Sequence, residues 1–255
     1  MDFRKIFDSI PDQFDKWRPQ YCPELFCDLI EYAKLDSGKT VLEVGPGTGQ
    51  ATEPILKTGC SYFAIELGEN FTEFMKNKFA SYDNFQILNA DFEKYHFQEE
   101  RFDLVFSAAT FQWIPQEIGF TKAYSILKKG GTFAMFSMRT DSRPGGGYTD
   151  EPLYSEIQKV YAEHFHPEIS YTCGLDYDAR EEYGFVDLEY REYFKTREFT
   201  ADEYVALIST HSDHLTLQEP NKSKFFAGIR DVIIQAGDKI THFDKIVLYL
   251  ARKPF

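Results

Sequence analysis

VLEVGPGTGQAT, residues 41–52, is the stretch on which the reading of this chain turns. An apolar strand ends in Gly45-Pro46-Gly47-Thr48-Gly49, and a helix is expected to follow. Glycines let a backbone turn sharply and approach a ligand closely. The first turn of the helix offers unpaired N–H groups to an anionic part of that ligand. Such a strand-to-helix turn serves nucleotide binders of several kinds. A dinucleotide fingerprint needs G-x-G-x-x-G; here the third glycine is displaced by one and position 50 is Gln. The Gly-Lys-Ser/Thr of a Walker A loop is absent.

Outward from this turn, short apolar runs alternate with amphipathic ones. Strands are predicted at 40–45, 61–67, 85–90, 102–109 and 131–138, and helices at 49–58, 69–80 and 116–128. Strand–helix alternation implies right-handed crossovers and a parallel sheet covered on both faces. Chemistry-bearing residues fall at the strand ends. Glu43 lies inside the first strand, where an acid is costly unless it serves a site. Glu66 ends the second strand, 17 residues after Gly49, and a carboxylate there can accept from both hydroxyls of a ribose. Asp91-Phe92 follows the third strand, a carboxylate beside an aromatic wall suited to a purine. The fourth ends in Ser107-Ala108-Ala109, with Phe111 and Trp113 beyond. All lie at carboxyl ends of parallel strands, where ligands bind in open α/β sheets.

After Met138 the pattern changes. Residues 139–152 read as a flexible loop with glycines at 145, 146 and 147, a candidate lid. Helices are predicted around 152–165, 177–183, 200–210 and 220–236, and strands at 186–199 and 241–253. The last two strands are expected to join the same sheet as an antiparallel edge. The acids at 178–192 read as a solvated face. The expected architecture is therefore α/β: a Rossmann-like, doubly wound, mostly parallel seven-stranded sheet with an inserted helical cap. Its parts are a helical cover over 1–36, a cofactor-binding core over 37–138, and the cap with the last two strands over 139–255, all one domain.

Composition limits the partners. Of 255 residues, 28 are basic and 41 acidic, a formal net charge of −13. That disfavours a protein gripping phosphate backbones or an anionic membrane over a wide face. No apolar run approaches the ~18 residues that cross a bilayer, and MDFRKIFDSIPDQF has no apolar signal core. Cys22, Cys27, Cys60 and Cys173 form no C-x-x-C pair and no zinc cluster. They read as reduced thiols of a cytoplasmic protein with no metal. Aromatic residues make up 17%, enough to furnish a core and also walls for a flat or cationic ligand.

Taken in order, the glycine loop, Glu66, Asp91-Phe92 and FDLVFSAATFQWI at 102–114 resemble the class I S-adenosylmethionine-dependent methyltransferases. The resemblance is to the small-molecule branch that includes trans-aconitate and ubiquinone/menaquinone-type methyltransferases. It covers residues 10–138, and more weakly YVALISTHSDHLTL at 204–217. It implies S-adenosyl-L-methionine as cofactor. Gly45, Gly47 and Gly49 would underlie the methionine part and Glu43 would order its amino end. Glu66 would take the ribose hydroxyls, with Leu67 beside the adenine. Asp91 would face the adenine amine, Phe92 would wall it, and Ser107 would lie near the methionine amino group. WRPQY, residues 17–21, would belong to the cover, Arg18 pairing with the cofactor carboxylate and Tyr21 closing over it. Relatives often carry a histidine just before the tryptophan after strand four; this chain has Gln112.

Methyl transfer from a sulfonium is an in-line displacement of an already activated group. Alignment supplies much of the acceleration, and a base is needed only when the acceptor keeps its proton. The pocket for a small-molecule acceptor is expected from Phe111, Trp113, Tyr148 and Tyr171. Arg139 or Arg143 would hold a carboxylate, whereas His211 or His214 would act as base for a hydroxyl. The competing readings are a cofactor-binding regulator without turnover and an NAD-linked oxidoreductase. A nucleic-acid enzyme is opposed by the charge and by the absence of an Asn/Asp-Pro-Pro-Tyr/Phe tetrapeptide. Nothing in the sequence sets the oligomeric state.

Overall fold

A computed structural model of the chain describes residues 2–140, 151–169 and 174–255. Their seven strands form one sheet: β1 (Thr40–Val44), β2 (Ser61–Glu66), β3 (Phe85–Asn89), β4 (Phe102–Ala108), β5 (Leu127–Thr140), β6 (Val186–Phe199) and β7 (Ile240–Arg252). The order is β3-β2-β1-β4-β5-β7-β6. The first five run parallel and β7 is antiparallel to both β5 and β6. The Rossmann-like, doubly wound expectation holds. The edge itself is β6, with β7 enclosed beside it.

Side-chain alternation explains both layers. Val41, Tyr62, Leu104, Phe136 and Leu248 face one side, and there they bury α2 (Pro23–Ala33), α3 (Thr52–Leu56) and α4 (Glu69–Lys78). Leu42, Val105, Phe133 and Val247 face the other and bury α5 (Gln116–Ile126). Strands apolar on both faces are what a covered parallel sheet requires. β6, by contrast, carries only exposed and half-buried residues along its whole length, as an edge does.

Several boundaries differ from those read in the sequence. The helix expected over 49–58 is confined to Thr52–Leu56, because the glycine turns continue to residue 51. The helix at 116–128 stops at Ile126 and β5 begins at once. The 177–183 helix is a 3-10 segment, Ala179–Tyr183. The cover is also shorter than 1–36: Leu25, Leu29 and Ala33 of α2 lie in the main core. What covers the sheet is a 3-10 segment, Phe3–Ser9, and α1 (Pro11–Trp17), neither with a buried residue.

The cap enters at two places. α6 (Glu151–His164) lies between β5 and β6; α7 (Ala201–Ile208), α8 (Ser212–Leu215) and α9 (Asn221–Gln235) lie between β6 and β7. Leu153, Ile157, Tyr204, Phe225 and Ile229 give it its own apolar cluster. Thr200 and Glu203 form a reciprocal cap at the start of α7. Among the described residues no helix is long and apolar enough to cross a membrane. The loop glycines 145–147, Arg143, Tyr148, Tyr171 and Cys173 lie outside the described residues.

Candidate active site

A cavity of about 760 Å³ opens at the carboxyl ends of β1, β2, β4 and β5, under the N-terminal cover and α8. Its floor is the glycine loop. Gly45 and Gly47 have φ of +66° and +58°, a region that L side chains rarely adopt. A Cβ on Gly45 would meet Thr110 Cγ2 at 2.1 Å, so the loop after β4 packs directly on the turn. Thr110 Oγ1 also donates to the Gly45 carbonyl at 2.8 Å. Gly47 faces the cavity. Gly49 does not: its missing Cβ makes room for Phe79 and Met75 in the core.

Glu66 ends β2 on one wall of the cavity. Its Oε2 accepts from the Gly47 N–H at 3.1 Å and its Oε1 from the Gly68 N–H at 2.8 Å. Burial pushes its carboxyl up to about 7, against the pull of those N–H groups. Each oxygen keeps a lone pair for a hydroxyl, as a vicinal diol needs. Leu67, Asp91 and Phe92 continue this wall. Asp91 is already engaged. Its Oδ1 accepts from Glu93 N at 3.0 Å and its Oδ2 pairs with Arg4 at 3.2 Å and Lys94 at 3.4 Å. Burial opposes its charge, but these partners hold it below the usual carboxylate range.

Arg18, Tyr21, Trp113 and Arg139 reach the same cavity from the other side, with His211 and His214. The Arg18 guanidinium lies 5.4 Å from the Phe7 ring and 4.9 Å from the Phe14 ring. It donates to the Thr210 carbonyl at 2.9 Å, while its Nε is buried without a partner. Burial lowers it to about 10. Burial also keeps the Tyr21 phenol protonated, pushing its pKa up. His211 immediately precedes α8 and His214 lies within it, the rings 5.2 Å apart. Desolvation, with Arg18 nearby, holds both below the usual histidine range, His214 at about 4. His214 Nε2 meets the Tyr161 hydroxyl at 3.0 Å and its Nδ1 is buried without a partner. The Ser137 hydroxyl on the cavity wall is likewise unpartnered.

Three expected site residues stand behind the wall. Glu43 is fully buried beneath the loop, its Oε2 taking the hydroxyls of Thr52 and Tyr62. It ties β1 to β2 and α3, and burial raises its carboxyl to about 7. Ser107 donates to the Val44 carbonyl at 2.9 Å. Phe111 is core, packed on Phe120 and Phe133. Sequence reading missed Arg4, Phe7, Phe14, Ser137 and Tyr177, all of which line the cavity. The aromatic spacing of the first fourteen residues was the one available signal. Among the described residues no cluster of His, Cys, Asp and Glu could hold a metal.

The strand order, the glycine loop and the acid at the end of β2 define a class I S-adenosylmethionine-dependent methyltransferase fold. Residues 42–135 match the family model described as a methyltransferase domain. Malonyl-[acyl-carrier protein] O-methyltransferase 2 of Ilyobacter polytropus is 34% identical over 40% of this chain and 40% of its own length. The match thus spans less than half of that relative. The sterol 24-C-methyltransferase ERG6 of Saccharomyces cerevisiae is 24% identical over 89% of this chain and 67% of its own. Phosphoethanolamine N-methyltransferase 2 of Haemonchus contortus, solved in complex with S-adenosyl-L-methionine, shares the fold. Its TM-score is 0.57 at 15% identity, covering 99% of this chain and 60% of that one.

S-adenosylmethionine is the cofactor of that class, and the residues present fit it. Glu66 has acceptor capacity for a ribose, Gly47 leaves the floor open, and Arg18 has a buried donor unspent. The cavity is of the size that holds such a ligand.

Proposed function

We propose that the chain is an S-adenosylmethionine-dependent methyltransferase acting on a small-molecule acceptor. The observation that carries this is Glu66, a buried carboxylate anchored by the Gly47 and Gly68 N–H groups in the wall of the cavity. Bound there, the cofactor supplies a methyl group on a positively charged sulfur. Glu66 orients the ribose, with Leu67 and Phe92 walling the adenine and Asp91 beside it. Arg18 offers a donor to the cofactor's carboxylate. Phe7, Phe14, Tyr21 and Trp113 present aromatic surface that favours a cation and, with the cover, excludes water. The acceptor enters between the cover, residues 108–114 and α8, and alignment is the main contribution of the protein.

A small acceptor, rather than a nucleic acid or an anionic membrane surface, fits the net charge of −13. The free thiols Cys22, Cys27 and Cys60 suit a cytoplasmic setting. Calorimetric titration of the purified chain tests the reading. S-adenosylmethionine and S-adenosylhomocysteine should bind, NAD should not, and Glu66→Ala should abolish binding of the first two. Binding of NAD alone overturns the proposal in favour of an oxidoreductase.

A further inference from the structure

We propose that Lys122 is a positioning residue for the cofactor's adenine. From behind the cavity wall it fixes the turn that carries Asp91 and Phe92. With Arg4 in front, it makes the site prefer a purine bearing an amine over one bearing a carbonyl. The inference rests on the methyltransferase reading and deepens it.

The turn leaves β3 tied to the end of β2. Ala90 N–H donates to the Glu66 carbonyl at 2.9 Å, and the Asn89 amide donates to the same carbonyl at 3.0 Å. The Asp91 carbonyl then accepts from Lys94 N–H at 3.0 Å and Tyr95 N–H at 2.9 Å, while its Oδ1 takes Glu93 N–H. The next two carbonyls, of Phe92 and Glu93, are taken by no backbone N–H among the described residues. One group serves both. The Lys122 ammonium donates to the Phe92 carbonyl at 2.6 Å and to the Glu93 carbonyl at 2.9 Å. It also lies 5.3 Å from the Phe92 ring centroid, so it holds the ring as well as the backbone.

Lys122 is itself anchored. It stands on α5 between Phe120 and Ala123, both fully buried against the sheet. The ammonium is half-buried; burial pulls its pKa down, and the carboxylates of Asp91 and Glu93 act the other way. Arg4, Asp91 and Phe92 line the cavity, and Lys122 stands outside that lining. The turn is thus gripped between two cations on different elements. Lys122 holds its main-chain carbonyls from α5. Arg4 holds the carboxylates of Asp91, at 3.2 Å, and Glu93 from the cover. Lys94 also reaches Asp91 at 3.4 Å, but from an exposed position where such a pair adds little.

This grip decides what the site accepts. The Asp91 carboxylate is held ionised, and an ionised carboxylate only accepts hydrogen bonds. An amine on the purine donates to it. A carbonyl in the same place faces it with lone pairs and gains nothing. Such rejection requires an acceptor that stays where it is. A turn free to swing away would let water take the carboxylate and would treat the two purines alike. Without the ammonium, two carbonyls lose their only donor, and the turn is left to its link with β2 and to Arg4.

The test titrates the full chain calorimetrically with three probes. They are S-adenosylhomocysteine, its deaminated analogue S-inosylhomocysteine, and 5′-methylthioadenosine, which keeps adenine and ribose but lacks the amino acid. The unaltered chain should prefer S-adenosylhomocysteine to the inosine analogue by a factor of about ten or more, the size of one hydrogen bond to a charged group. Lys122→Met should weaken S-adenosylhomocysteine and methylthioadenosine by the same factor, roughly fivefold, and cut the preference to about a third of its value or less. Lys122→Arg should keep most of both, since a guanidinium can also serve two carbonyls. Arg4→Gln, in a segment with no buried residue, should lower the same preference. Its result decides the matter should Lys122→Met fail to fold. Unchanged affinity in Lys122→Met overturns the proposal. So does an equal loss for the adenine and inosine ligands, which is what a merely structural role would give. An unaltered chain that does not discriminate between them, or a preference that survives Arg4→Gln, overturns it too. Failure of S-adenosylhomocysteine to bind the unaltered chain is a separate result and overturns the methyltransferase reading instead.

Discussion

Glu66 and Gly45 show how single residues set the behaviour of the site. The Glu66 carboxyl is raised from its ordinary 4.5 to about 7, chiefly by burial. Only its ionised form accepts from two hydroxyls. Cofactor affinity should therefore fall about tenfold per pH unit below pH 7, and Glu66→Gln should flatten that dependence in titrations between pH 5 and 8. Folding has the opposite sign. A raised carboxyl favours the protonated native state, so its stabilisation is present below pH 4.5 and is lost as pH rises through 7. Gly45→Ala places a methyl 2.1 Å from Thr110 Cγ2 at a positive φ. Strain of about 1–3 kcal/mol is expected, lowering Tm by roughly 3–10 °C in a thermal melt. Gly45, Gly47 and Glu66 were legible in the sequence because each sits at a strand end that local alternation locates. Glu43 was not, since a buried acid reads alike whether it meets a ligand or the hydroxyls of Thr52 and Tyr62.

Among the elements, the N-terminal cover differs from the rest. It buries no residue in the core and is tied down by polar contacts at separate points. Asp8 accepts from the Asn70 and Phe71 N–H groups at the start of α4, a favourable place for an acid. Lys78 at the other end of α4 pairs with Asp15 at 2.6 Å. Arg4 joins Asp91 and Glu93. An element so held opens at low free-energy cost. Amides of residues 3–17 should exchange faster than those of β1 or β4 in the free protein, and slow when S-adenosylhomocysteine is present. Asp8→Ala should quicken exchange there while leaving the sheet unchanged. Sequence showed that this segment was helical and aromatic. It did not show the Arg4 contact, because Asp91 lies 87 residues away and no local pattern records such a pair. β6 and β7 were likewise visible as strands, yet which of them is the edge depends on pairing that alternation does not encode.

For the molecule as a whole, three apolar clusters divide the work. Two lie on the faces of the sheet and the third joins α6, α7 and α9. Phe225 is fully buried in the third, against Tyr161 and Phe165. Phe225→Ala should cost about 3–5 kcal/mol locally. Hydrogen exchange should show the cap losing protection while β1, β2 and β4 keep theirs. Cofactor affinity should change far less than acceptor affinity, since the glycine loop and Glu66 belong to the sheet.

Phe199, where β6 ends, is paired directly with Ile240, where β7 begins. Residues 200–239 therefore leave and rejoin the sheet at neighbouring points, and their route carries α7 to α9. A segment with adjacent entry and exit behaves as a cassette: another fold of similar span can replace it without moving either strand. The part of the cavity wall that carries His211 and His214 can thus diverge while the glycine loop and Glu66 stay fixed. A transplanted cassette would carry His211 and His214 with it and leave Glu66 behind.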